Sequence, residues 1–362
     1  LDLFICTGEL SGDLHGAALI EQLLKMQPAL KIGAVAGPKM REFPITTHFR
    51  MEELQVMGFS DVFFALPKLI RLFYSIRNKI LSLNPKAVVF IDYPGLHLRL
   101  QQSLRKKNYR GKLIHMPCPS VWAWGKKRIP KMAANLDLLL TFFPFEKNCF
   151  SGTTLPVETI GHPVAYPVAN FEPTSCFAGK KILALFPGSR RKEIDKNLPL
   201  QLQVARKLKE LDPSLTVMIS AAQPDLIPSI PEAIITSHTY DLMRAAHLAL
   251  ATSGTATLEL ALHGTPTIVH FAIKPFDCFL AQKIFRINLP FYSLPNLILQ
   301  SSVFPELFGP HFTYDNLLKH AQTLWFNETA RSNVRKNCET LREHLPKGNS
   351  AELAAKVIRK FV

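Results

Sequence analysis

Leu248-Ala249-Leu250-Ala251-Thr252-Ser253-Gly254-Thr255-Ala256-Thr257-Leu258-Glu259 carries, in one short run, the signals of a strand, a turn and a helix. Leu248 to Ala251 is apolar throughout, the pattern of a strand buried in a parallel sheet. Ser253 and Thr255 are helix-capping residue types, and Gly254 lets backbone approach a ligand closely. Leu258, Ala261 and Leu262 then share one helical face, Gly264-Thr265-Pro266 stops the helix, and Thr267 to Phe271 reads as the next strand. The unpaired N–H groups that open such a helix attract anions. Glu259, about one turn in, could hold a pair of sugar hydroxyls. The plainer reading of these residues is an ordinary βαβ unit with a capped helix.

The chain around this unit has 362 residues, enough for two domains, and 47% of them are hydrophobic, enough for two cores. It contains no apolar run of the ~18–20 residues that a membrane-spanning helix needs. Leu1 to Ile5 leads straight into a strand pattern, so no signal peptide is expected. Cys6, Cys118, Cys149, Cys176, Cys278 and Cys338 form no Cys-x-x-Cys pair, which argues against a zinc site or a disulfide framework and suits a reducing cytoplasm. The net charge of +15 is partly clustered, at Arg105-Lys106-Lys107, Lys126-Lys127-Arg128 and Arg190-Arg191-Lys192. Such charge fits an anionic partner: nucleic acid, acidic lipid or a phosphorylated substrate.

Strand-to-turn units recur on both sides of the opening stretch. Leu3 to Thr7 reads as a strand, followed by Gly8-Glu9-Leu10-Ser11-Gly12-Asp13 and a helix to about Met26. That turn lacks both the Gly-x-Gly-x-x-Gly spacing and the Walker lysine, so Ser11 and Asp13 read most simply as caps. Ala87 to Ile91 is a buried strand with Asp92 just past its end, where α/β folds put their ligands; Asp92 is the first candidate for a general base. Two of the chain's three tryptophans, Trp122 and Trp124, share one proline-stiffened loop and offer stacking faces for a sugar or an acyl chain. Residues 164–180 read as a linker, after which the alternation restarts with strand Lys181 to Phe186 and the turn Pro187-Gly188-Ser189-Arg190. Gly188 and Ser189 offer donors there, and Arg190 a fork suited to phosphate. Pro199 reads as the first turn of the following helix, and Ser350 as the cap of the last one. Asn296, in a proline-held turn, is a candidate hydrogen-bonding ligand. Between the first two units, Phe63, Phe64, Leu66, Leu69, Ile70 and Phe73, with Lys68 and Arg71 beside them, form an apolar segment rimmed by cations. Such a segment either packs on a sheet or lies on an anionic bilayer.

Taken together, the motifs are more specific than any one of them. Gly8-Glu9-Leu10-Ser11-Gly12-Asp13, Val56-Met57-Gly58, Ile91-Asp92-Tyr93-Pro94, Pro119-Ser120-Val121-Trp122-Ala123-Trp124, Phe143-Pro144-Phe145-Glu146-Lys147, Gly161-His162-Pro163, Pro187-Gly188-Ser189-Arg190, Ser253 to Glu259 and Ser293-Leu294-Pro295-Asn296 follow one another along nearly the whole chain. In this order they strongly resemble the lipid A disaccharide synthases, glycosyltransferase family 19. The resemblance implies an α/β chain of the GT-B type, two Rossmann-like domains facing a cleft. Residues 1–163 would form an acceptor- and membrane-facing domain, 164–180 a linker, and 181–349 a UDP-sugar domain, with a last helix at about 350–362 returning to the first domain. The implied reaction joins UDP-2,3-diacylglucosamine to 2,3-diacylglucosamine 1-phosphate with inversion, at the cytoplasmic face of the Gram-negative inner membrane. By position, Asp92 matches the base. Arg190, Ser253, Glu259 and Asn296 match the donor site, to which Gly188, Ser189, Gly254 and Thr255 add turn donors. Ser11, Asp13, Trp122 and Trp124 fall on the acceptor side. Some members exchange the C-terminal region between protomers, so a homodimer is admitted. With no Asp-x-Asp in the chain, no metal and no cofactor are expected, and Arg190 and helix ends would hold the diphosphate.

The sequence departs from that family at Leu10, where alanine is usual, and at Met116-Pro117-Cys118, where Tyr-Val-Ser is more frequent. The second departure weakens the case for a hydroxyl contact at that turn. Two rivals stand beside the resemblance. A UDP-sugar 2-epimerase would share the fold and the donor grip but consume no acceptor. A non-catalytic nucleic-acid binder would use the charge, but the basic residues sit in separate turns and no RNA or DNA module appears, so no nucleic acid is expected.

Overall fold

The computed structural model describes residues 1–54, 59–123, 125–174, 177, 179–221, 223–273 and 289–362, with the side chains of 59–66 outside that description. The Val56-Met57-Gly58 motif, Trp124 and the side chains of Phe63, Phe64 and Leu66 therefore lie outside the described residues. The chain forms two compact units, Leu1–Pro163 with Pro346–Val362, and Val164–Leu345. Among the described residues no helix is long and apolar enough to cross a membrane.

In the first unit the chain runs β1 (Leu3–Thr7), α1 (Leu10–Met26), β2 (Ile32–Ala36), β3 (Thr46–Arg50), α2 (Phe59–Leu83), β4 (Ala87–Ile91), α3 (Pro94–Lys106), β5 (Lys112–Met116), α4 (Ile129–Asn135), β6 (Leu138–Thr141), α5 (Pro144–Asn148) and β7 (Val157–Thr159). The strands pair in the order β3-β2-β1-β4-β5-β6-β7, every neighbour parallel. β1 and β4 are buried at every position, as strands covered by helices on both faces must be. The order reverses between β1 and β4, which makes the ends of these two strands the switch point where open α/β sheets bind ligands.

On α2, Leu72, Ile76 and Ile80 fall one turn apart and belong to the core, and Leu69 and Phe73 pack against it. These two residues, expected above on a membrane face, therefore lie on the core side of the helix. The opposite side carries Ile70 and Tyr74, each 48% exposed and one turn apart, with Lys68 and Arg71 between and beside them. The Arg77 guanidinium lies 4.7 Å from the Tyr74 ring centre.

The second unit runs α6 (Ala165–Ala169), β8 (Lys181–Phe186), α7 (Arg191–Leu211), β9 (Leu215–Ser220), β10 (Ala233–Thr236), α8 (Thr239–Ala245), β11 (Ala246–Thr252), α9 (Thr255–His263), β12 (Thr267–Phe271), α10 (Leu294–Leu299), β13 (Glu306–Phe308), α11 (Tyr314–Phe326) and α12 (Glu328–His344). Its sheet is parallel in the order β10-β9-β8-β11-β12-β13, with the reversal between β8 and β11. Residues 164–180, read above as a linker, belong to this unit: α6 packs on α9, and the Thr174 N–H and hydroxyl both donate to Asp241, at 2.7 and 2.9 Å. α7 begins at Arg191, so Pro199 lies inside it rather than in its first turn. The proline removes one N–H from the helix ladder, and the remaining bonds and the buried face of Ile194, Leu198, Leu202 and Ala205 carry the helix through. The last helix, α13 (Ser350–Ile358), packs on α1 of the first unit. Its cap is Asn349, whose Oδ1 accepts from Ala351 and Glu352, rather than Ser350.

Candidate functional site

At the switch point of the first sheet, Asp92 leaves β4 with φ 54°, and Tyr93 follows with φ 47°. Two successive non-glycine residues in the left-handed region are costly and persist only when their surroundings hold them. Here the buried His97, from the first turns of α3, bonds through Nδ1 to the Asp92 carbonyl at 2.8 Å. Burial depresses His97 to about 4, so the ring is neutral and serves as a fixed strut. The Tyr93 ring lies over Gly8, where any Cβ would collide with it. The result turns the Asp92 carboxylate back toward the opening of α1, where the Ser11 hydroxyl donates to its Oδ2 at 3.2 Å. Burial raises the Asp92 pKa, and the Ser11 bond only partly opposes this. Glu9 is raised as well, by burial and then by the charge of Asp92. A carboxylate that is partly desolvated, with one hydroxyl partner and a second acid nearby, is chemically able to accept a proton.

Asp13 takes no part in this group. It is buried, and its two oxygens accept from the backbone N–H groups of Lys39 and Met40 at 2.8 and 3.1 Å. Both oxygens thereby pin the turn after β2, so its main contacts here are to backbone. Ser11, two residues earlier on α1, is exposed beside Asp92.

The same sheet edge carries a row of rings that sequence reasoning did not single out. His15 meets Phe142 edge-on at 5.4 Å, Phe142 meets His162 at 5.2 Å, His162 stacks on Phe143 at 5.3 Å, and Phe143 stacks on Phe145 at 5.7 Å. Trp122 completes the row, edge-on to Phe145 at 5.6 Å. Glu146 anchors it from below: it accepts from the N–H groups of Phe142 and Phe143 at 3.1 and 3.0 Å and hydrogen-bonds the Trp122 side chain. Burial holds Glu146 up at about 7. Trp122 is thus a half-buried, oriented face rather than a freely swinging side chain.

At the switch point of the second sheet, the turn after β8 and the turn after β11 wall a cavity of ≈ 330 Å³. Gly188, Ser189, Ser253, Gly254, Thr255 and Glu259, six of the eight residues expected to bind a donor, line it together. Gly188 has φ 120°, and a Cβ there would stand 2.6 Å from Glu193. Only glycine lets the loop fold back so that the Ser189 N–H reaches Glu193 Oε2, at 3.1 Å. α9 opens at Gly254 with no side-chain cap, although Ser253 and Thr255 are capping types; the Thr257 hydroxyl turns back to the Gly254 carbonyl instead, at 2.7 Å. The first N–H groups of α9 are thereby left at a cavity wall. Glu259 accepts from the Tyr240 hydroxyl at 2.9 Å, and burial raises its pKa. Three hydroxyls not foreseen from sequence share the cavity: Ser220 and Thr239, bonded to each other at 2.9 Å, and Thr252, whose buried oxygen has no protein partner.

The other two expected donor ligands stand apart from this lining. Arg190 is the N-cap residue of α7, its side chain 83% exposed and 3.7 Å from Glu193. Asn296 is buried and held by three bonds: Oδ1 accepts from the N–H groups of Val303 and Phe304, each at 2.9 Å, and Nδ2 donates to the Phe304 carbonyl at 2.9 Å. Its geometry is that of a loop clamp.

A family model described as lipid-A-disaccharide synthetase matches residues 3–361. The lipid-A-disaccharide synthase of Chlamydia pneumoniae is 39% identical over 322 residues, covering 84% of this chain and 53% of that protein. The chain spans about half the length of the chlamydial relatives it matches. The lipid-A-disaccharide synthase of Coxiella burnetii is 30% identical over 387 residues, covering 99% of this chain and 98% of that protein. Among solved structures, the glycotransferase of kitacinnamycin superposes with a TM-score of 0.65 at 10% identity, covering 100% of this chain and 99% of the other. UDP-GlcNAc 2-epimerase from Neisseria meningitidis bound to UDP-GlcNAc gives 0.62 at 12% identity, covering 99% and 100%. At such identities these two speak to the fold alone, that of the GT-B glycosyltransferases and 2-epimerases.

Proposed function

The chain belongs to the lipid-A-disaccharide synthase family, and from that premise we propose that it is an inverting hexosyltransferase of lipid A assembly, joining UDP-2,3-diacylglucosamine to 2,3-diacylglucosamine 1-phosphate. The observation that carries this reading is the convergence of Gly188, Ser189, Ser253, Gly254, Thr255 and Glu259 on one cavity at a sheet switch point. The N–H groups opening α9 and those of the Gly188-Ser189 turn would hold the donor diphosphate, and Glu259 the ribose hydroxyls. In the transfer, the acceptor hydroxyl oxygen bonds to the anomeric carbon as the bond from that carbon to the diphosphate oxygen breaks. The hydroxyl proton goes to Asp92, and the electron pair leaves with UDP. The test is UDP release that depends on added 2,3-diacylglucosamine 1-phosphate. Release or sugar isomerisation without that acceptor would favour the epimerase reading instead.

Two predictions follow from the division of roles. Arg190→Ala weakens UDP binding by about ten- to a hundredfold, the worth of one charged hydrogen bond, because the freely exposed guanidinium can leave Glu193 for a diphosphate. Glu259→Gln weakens UDP binding too, with less effect on inorganic pyrophosphate than on UDP, since it acts on the ribose. Titration calorimetry reads both, and unchanged UDP affinity in the pair would move the nucleotide out of this cavity.

The proposed substrates are diacylated, so the reaction would be met at an anionic bilayer, peripherally and from the cytoplasmic side. Ile70 and Tyr74 are the described apolar residues of α2 that point away from the core, and Lys68 and Arg71 would add about 1 kcal/mol each near acidic headgroups. Ile70→Ser with Tyr74→Ser reduces sedimentation with anionic vesicles and leaves the melting temperature nearly unchanged. Leu69→Ser with Phe73→Ser lowers the melting temperature instead, by removing core contacts worth about 1–2 kcal/mol each. Vesicle binding undiminished in the first pair would exclude this face of α2.

A further inference from the structure

Away from the donor cavity, the second unit has another of ≈ 620 Å³, walled by the ends of α8 and α9 and by α12. Three arginines line it: Arg244, from the end of α8, and Arg335 and Arg342, both from α12. Arg335 and Arg342 are seven residues apart, so they share a helix face ~10 Å apart along its axis. Glu339, between them, is the one carboxylate in the lining. Cations at helix C-termini often do no more than cap them. That duty is accounted for here by other groups and by a single guanidine nitrogen. The Leu262 carbonyl takes Arg342 Nε at 2.8 Å, the Leu260 carbonyl takes the Thr265 N–H at 3.0 Å, and the Met243 carbonyl takes the Thr265 hydroxyl at 2.5 Å. Among the described residues, Arg335 pairs only with the exposed Glu328, at 2.9 Å, which it shares with Arg331. Arg244 has no hydrogen-bond or ion-pair partner among the described residues. His263 also lines the cavity, and its buried Nε2 has no partner. Burial, then the Arg244 and Arg342 charges, depress that ring to about 4, so it is neutral and adds no repulsion.

We propose that this cavity is a second anion site that takes a phosphate group, gripped by Arg244, Arg335 and Arg342. Planar guanidinium forks contributed to one cavity by two elements suit a tetrahedral oxyanion, which would draw Arg335 from the exposed Glu328. The phosphate could belong to a lipid headgroup or be free in solution. The inference does not depend on the proposed transferase activity, because none of these residues lines the donor cavity.

The experiment titrates the full chain with inorganic phosphate, by calorimetry, in the parent, Arg244→Ala and Arg335→Ala, with melting temperature and UDP binding as checks of folding. The expected result is a phosphate affinity at least about tenfold weaker in each variant, with UDP affinity unchanged. Sedimentation with phosphatidylcholine vesicles, with and without phosphatidic acid, separates the sources. Phosphatidic-acid-dependent binding that falls in both variants and is displaced by phosphate assigns a headgroup; vesicle binding equal in all three proteins, with the phosphate loss retained, assigns a free phosphate compound. Equal phosphate affinity in parent and variants would overturn the proposal, leaving the arginines as helix-end cations.

Discussion

Asp92→Asn is expected to keep UDP binding and to lower acceptor-dependent UDP release at least ~100-fold, the loss that follows removal of a general base. Asparagine is the informative replacement because of the backbone. Asp92 sits at φ 54°, a conformation that Asn tolerates and most other residues resist. His97 holds the Asp92 carbonyl rather than its carboxylate, so that strut survives the substitution. The Ser11 hydroxyl can still bond the amide oxygen. What is lost is the ability to accept a proton. The pH profile gives an independent reading. Burial raises the Asp92 pKa, and a base works only when deprotonated, so turnover in the parent falls as pH drops through that raised value. Residual turnover in Asp92→Asn should lack this acidic limb. Near-parent turnover with the limb intact would pass the role to Glu9, whose pKa is also raised, or to His15, which burial keeps neutral. Asp13 is the weaker alternative, because both its oxygens already accept backbone N–H groups at the turn after β2.

The strands that sequence reading located are those dominated by apolar residues. Ala87 to Ile91, Lys181 to Phe186 and Leu248 to Ala251 are buried runs in sheet centres, and they fixed the switch points at which Asp92 and the Ser253-Gly254-Thr255 turn stand. The edge strand β3, Thr46-Thr47-His48-Phe49-Arg50, was not legible, because it is largely exposed and its residues need not be apolar. The site was legible as a set of turns but not as a set of side-chain directions. Ser11 and Asp13 are two residues apart on one helix, yet one faces Asp92 and the other the turn after β2. Leu69 and Ile70 are adjacent, yet one packs inward and the other is exposed. Contacts made only by topology left no local trace at all. Gln101 meets His115 at 2.8 Å inside the first sheet's covering, joining α3 to the strand that follows it, and Gln201 meets His270 at 2.8 Å in the second, joining a helix to a strand 69 residues away. The ring row from His15 to Trp122 is of the same kind, assembled from four separate segments.

Asn296→Ala is expected to act on stability before it acts on the nucleotide. The parent amide closes three hydrogen bonds to the 303–304 backbone in a place sealed from solvent. Its removal leaves the Phe304 N–H buried without a partner, and leaves the Val303 N–H and the Phe304 carbonyl with only their bonds to the Ser301 carbonyl and the Ser302 hydroxyl, at a cost of about 1–3 kcal/mol. The melting temperature should fall accordingly, and UDP affinity measured well below that temperature should stay near the parent value. Asn296→Asp sharpens the test through its sign. Ionised, the aspartate can accept from Val303 and Phe304 but opposes the Phe304 carbonyl; protonated, it can donate to that carbonyl and restore all three bonds. Folding should therefore raise its pKa. The stability it contributes is present below its unfolded pKa and is lost as pH rises through the folded one. Its melting temperature should approach the parent's, compared at equal pH, as pH falls. A parent-like melting temperature in Asn296→Ala, with UDP binding weakened tenfold or more, would show the opposite: that the amide leaves its loop to hold the donor, and that this loop rearranges when it does.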